Sequence, residues 1–189
     1  MTGRAPLPFR RDIDIVSRQM GGRHFDPAFI VGIARRCRWG APQVLRCFPL
    51  RKGFPFPTTF WLSCPWLARS LGTLESKGGV SSLEDFLLLR KERWRDFQLE
   101  HRILRLRLLS SGEKRFLRLH RRPIWEVIRS GGVGGIRYVP NSRPTVKCLH
   151  LQVASWLALG RHPGEVWLRE NIPDVCCPDG RCLLDRTET

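Results

Sequence analysis

Cysteines stand at positions 37, 47, 64, 148, 176, 177 and 182 of the 189-residue chain, and histidines at 24, 101, 120, 150 and 162. Thiolate and imidazole bind soft metals, or act as nucleophile and base near neutral pH, so these positions carry the chemistry open to this sequence. Seven cysteines cannot all pair with one another. The first residues hold Arg4, Arg10 and Arg11 but lack the apolar stretch of a secretory signal. Together these features favour reduced thiols or thiolate ligands in a cytoplasmic protein over a disulfide framework.

Spacing narrows the chemistry without fixing it. There is no C-x-x-C pair. Cys177 and Cys182 have four residues between them in a run of turn residues, a separation that can hold two ligands on one ion. Cys64-Pro65 and Cys177-Pro178 share the cysteine–proline step of iron–sulfur ligand runs. Thr145 as N-cap would put Cys148 at the third helical position, where free N–H groups favour a thiolate, with Lys147 beside it and His150 two residues on. Against this stands the core reading: free cysteine is among the most buried residue types, and Cys47 and His101 suit it best.

The elements that must position these groups are readable in outline. Residues 30–35, 43–48 and 58–63 carry the β-branched and aromatic content, with Gly-Pro punctuation, of a small antiparallel meander. Pro65 suits the first turn of a helix that Gly78-Gly79 ends. Ser81 and Glu84 have capping-box spacing before a long helix whose Leu87, Trp94, Phe97, His101, Leu104 and Leu108 form one stripe. A basic helical segment over 113–130 follows, with a kink at Pro123, then a Gly-rich loop over 131–135 and a last helix over 146–159. The tail has little periodicity. The expected fold is therefore α+β, a small antiparallel sheet from the N-terminal third packed with about four helices. It forms a single domain over 15–183, with frayed termini at 1–14 and 184–189.

Lys and Arg number 33 against 17 Asp and Glu, a net charge of +16, and residues 90–122 alone hold 12 basic against 4 acidic residues. Such a surplus points to a polyanion. Arg90, Arg93, Arg95, Arg102, Arg105 and Arg107 are expected on a helix exterior, where they would neutralise nucleic-acid or other phosphates in a salt-dependent way; the alternative is a solvated basic face. No apolar run reaches the ~18–20 residues needed to cross a bilayer, so a membrane partner is not expected.

Several of these stretches together resemble a bacterial family known only as domain of unknown function 501. They are Arg36-Cys37 with Gly40 and Pro42, the run Gly53-Phe54-Pro55-Phe56-Pro57-Thr58, Leu62-Ser63-Cys64-Pro65, Leu74-Glu75, Gly132-Val133-Gly134-Gly135-Ile136 and Val146-Lys147-Cys148-Leu149-His150. The likeness spans residues 15–183. It implies thiols at positions matching Cys37, Cys64 and Cys148, and often one near the C-terminus in a setting like that of Cys182. This chain departs in having Arg38-Trp39 where many relatives place a second cysteine, and in its arginine-rich stretch. The expectation that follows is an iron–sulfur cluster or zinc held by Cys37, Cys64, Cys148 and Cys182, with Cys177 and His150 in reserve. Two alternatives stand beside it: polyanion binding through 90–122, and a Cys148 nucleophile with His101, His120 or His150 as base.

Overall fold

The computed structural model describes residues 10–21, 26–140 and 142–183. Strands β1 (Ile30–Arg36) and β2 (Pro42–Cys47) form a hairpin, and β5 (Phe60–Leu62) completes an antiparallel sheet in the order β1-β2-β5. The hairpin turn is closed by Cys37 N donating to Ala41 O at 3.0 Å and Gly40 N donating to Cys37 O at 2.9 Å. A second, two-stranded ladder joins β3 (Leu50–Arg51) to β4 (Phe54–Pro55).

Alternation along β2 decides how the sheet is covered. Successive side chains face opposite sides of a strand, so Val44 enters one hydrophobic cluster and Leu45 another, both fully buried. On the Leu45 side lies α1 (Arg10–Gln19), whose Val16 packs with Met20, Phe29, Ile30 and Ile33. On the Val44 side lie α2 (Pro65–Ser76), α3 (Gly79–Leu88), α4 (Lys91–Arg107) and α7 (Leu149–Leu159). Their Leu67, Leu71, Leu83, Leu87, Trp94, Phe97, Leu149 and Val153 form the main core. Burying each such leucine contributes about 1.5–3 kcal/mol. A third cluster, Leu109, Leu117 and Ile128, ties in α5 (Ser111–His120) and α6 (Arg122–Ser130).

The architecture is α+β as expected, with eight helices among the described residues where about four were anticipated. The long helix expected from Ser81 is two helices broken at Leu89 and Arg90, and α3 begins earlier, after Gly78 in the left-handed region at φ 84°. Ser81 and Glu84 are therefore not a cap; Glu84 Oε1 instead accepts Val146 N at 2.7 Å. The capping box lies instead at Ser110 and Glu113, at the start of α5. Helix α7 starts at Leu149 with Cys148 as its N-cap, not at Val146, and Gly160 ends it.

At the chain ends, α8 (Glu165–Asn171) occupies the tail that shows little periodicity, and α1 begins at Arg10, inside the segment expected to be frayed. It is fixed there by Asp12, whose carboxylate accepts from Nη1 and Nη2 of the Arg36 guanidinium at 2.7 and 2.8 Å, a bidentate pair. The remaining expectations of fraying, at 1–9 and 184–189, lie outside the described residues. Among the described residues no helix is long and apolar enough to cross a membrane.

Candidate metal centre and a second thiol site

All seven cysteines are free thiols. Cys37, at the end of β1, Cys64, the N-cap of α2, and Cys177 and Cys182, from the C-terminal loop, line one small cavity with Gln19, Trp39 and Gln43 among its other walls. The loop that brings the last two thiols is pinned to the hairpin by side chains of β2 and its turn. Arg38 Nη2 and Trp39 Nε1 each donate to Cys177 O at 2.9 Å, and Gln43 Nε2 donates to Val175 O. Gly180 stands over the Trp39 ring, where an added Cβ would come within 3.1 Å, and its φ of 64° is one that side-chain-bearing residues rarely adopt.

The thiols are electrostatically coupled. Burial pushes Cys64 up to about 11; the N–H groups of Leu67 and Trp66 pull it back, and the sulfurs of Cys182 and Cys177 push it further up. Cys182 is raised too, first by burial and then by Cys177 and Cys37, against Gln19 and Arg181. Sulfurs that oppose one another's ionisation are what a cation between them would stabilise. Gln19, 6% exposed, adds a buried Oε1 with no hydrogen-bond partner. Among the described residues no three of these sulfurs all lie within 4.8 Å of one another. That is a wider shell than the ~3.8 Å sulfur separations implied by ~2.3 Å bonds to a tetrahedral zinc.

Cys148, expected to bind one metal together with Cys37 and Cys64, and His150, expected in reserve, are not on this cavity wall. They meet Glu75, at the far end of α2 from Cys64, and each of the three offers one potential ligand atom within 4.8 Å of the others. Glu75 Oε1 accepts Leu149 N at 2.5 Å, supplying from another element the cap that the Cys148 side chain does not give α7. The same oxygen lies 3.0 Å from His150 Nδ1, and His150 Nε2 lies 3.0 Å from Ala68 O. The neighbouring Cys148 side chain raises the imidazole most; Glu75 and the Ala68 carbonyl add to it, burial opposes, and the result is about 9. Glu75 is the member that sequence reading misses, although Leu74-Glu75 is one of the matching stretches.

The other candidates separate by burial. Cys47 is fully buried in the α1 cluster, and burial raises its thiol. His101 packs edge-on against Phe60 and Phe97, and burial holds it down to about 3. Arg105 is not on the helix exterior. It is 1% exposed and donates to Ile128 O at 3.1 Å, Gly131 O at 2.8 Å and Gly132 O, because the end of α6 and the Gly-rich loop present three carbonyls that need a donor. Arg93 and Arg107 are exposed, Arg102 is half-buried, Arg95 pairs with Asp96, and Arg90 lies over the Phe86 ring at 3.7 Å. The Gly-rich loop is a packing device: a Cβ on Gly134 would meet Leu151 of α7 at 2.5 Å.

Comparison with known proteins gives one result. A family model described as a protein of unknown function, DUF501, matches residues 33–169, and the chain belongs to that family. No curated protein and no solved structure matches.

Proposed function

We propose that this DUF501 protein holds a soft metal centre on the thiolates of Cys37, Cys64, Cys177 and Cys182. The observation that carries the reading is that four cysteines from three distant segments line one cavity. Thiolates select zinc or iron–sulfur chemistry and exclude calcium or magnesium. The sulfur spacing favours a cluster, in which each thiolate has its own iron, over a single zinc. The unpartnered Gln19 Oε1 lies on the wall of the same cavity, outside the all-sulfur ligand set. The ligand set differs from the one expected from sequence: Cys177 takes the place of Cys148.

The test is anaerobic purification of the full chain with iron, sulfide and zinc quantification and a visible spectrum. The reading expects iron and sulfide with thiolate-to-iron absorption; stoichiometric zinc would keep the site and change the metal. A colourless, metal-free protein overturns it.

A further inference from the structure

The Glu75, His150 and Cys148 cluster lies outside that cavity and has a different logic. We propose that it is a nucleophilic cysteine site, in which Cys148 undergoes thiol–disulfide exchange with small disulfides while His150, oriented by Glu75, holds the thiol proton.

Proton positions follow from the partners. The Ala68 carbonyl can only accept, so His150 Nε2 carries a hydrogen. That fixes Nδ1 as the atom that gains or lacks the second proton, and Nδ1 faces a carboxylate oxygen at 3.0 Å, which favours a proton there too. The ring is thus held as an imidazolium beside the Cys148 sulfur, and its raised value of about 9 agrees. Cys148 is also the N-cap of an eleven-residue helix, at the positive end of its dipole. The side chains are reachable: His150 is 34% and Glu75 24% exposed.

The reaction balances on these atoms. Cys148 sulfur, its proton left on Nδ1, bonds to one sulfur of the disulfide; the S–S bond breaks and the departing thiolate takes the electron pair. The product is a mixed disulfide on Cys148.

Two probes test this on the full chain, iodoacetamide and oxidised glutathione, with site-resolved mass spectrometry at pH 7. Cys148 is expected to react about tenfold faster than half-buried Cys176, and to slow about tenfold in His150→Gln. The wild-type comparison of Cys148 with Cys176 needs no variant. Stripping metal from the four-thiol cavity should leave the Cys148 rate unchanged, so the two proposals fail separately. Equal rates at Cys148 and Cys176 overturn the assignment, as does stoichiometric zinc that blocks labelling and is lost in Glu75→Gln.

Discussion

The two ends of α2 hold thiols in opposite circumstances. At its N-terminus Cys64 is 5% exposed among three other cysteines, and burial and the neighbouring thiols of Cys182 and Cys177 resist its ionisation. Near its C-terminus Glu75 meets Cys148 across an imidazole, so the sulfur there has a cation for a neighbour. Sulfur among sulfurs needs an external cation to become a set of thiolates; sulfur beside an imidazolium already has one. In the proposed reading, one helix serves a ligand shell at one end and a nucleophile at the other.

The largest effect that would break this contrast is in metal content. Cys64→Ser should remove most of the bound metal and Cys148→Ser none of it, as read by elemental analysis. Equal loss in both would merge the two regions into one site. Next is a control on the scaffold. Arg105→Met leaves both thiol regions intact but strands three buried carbonyls, and should cost about 3 kcal/mol in urea unfolding. Metal content per folded molecule should stay unchanged. If it falls in parallel with stability, the losses in cysteine variants would need the same explanation.

Metal affinity should weaken as pH falls, because Cys64 and Cys182, both raised in the free protein, must release protons to bind. Competition with a chelator at about pH 6 and pH 8 would read it, and a flat response would argue against thiolate ligands. The smallest effect concerns the imidazole. Its value in the folded chain lies above the usual 6.5, so its pairing with Glu75 and Cys148 stabilises the fold fully below about pH 6.5 and is lost as pH rises through about 9. Glu75→Gln should therefore narrow the stability difference between those two pH values by about 1 kcal/mol or less, given solvent screening of a partly exposed pair.

What the sequence made legible was local. The three sheet strands, Pro65 at the start of α2, and Gly160 at the end of α7 follow from turn chemistry and β-branched content that act over a few residues. Caps were misread where the partner is distant: Glu84 serves Val146, and Glu75 serves Leu149. Neither contact has a spacing signature, because each spans more than 60 residues of chain. The same limit explains the thiols. Cys37, Cys64 and Cys182 were candidates by type and neighbourhood, but choosing Cys177 over Cys148 depends on Arg38, Trp39 and Gln43 fastening the tail to the hairpin. Arg105 shows the converse error, since a charge in a basic run reads as surface until the carbonyls of another helix appear around it.

X-ray absorption at the edge of the metal retained by anaerobically purified wild-type protein tests the central claim most directly, because it counts the atoms bound to that metal. A shell made of sulfur alone is the predicted result. A shell containing nitrogen or carboxylate oxygen, or no metal above background, would contradict it.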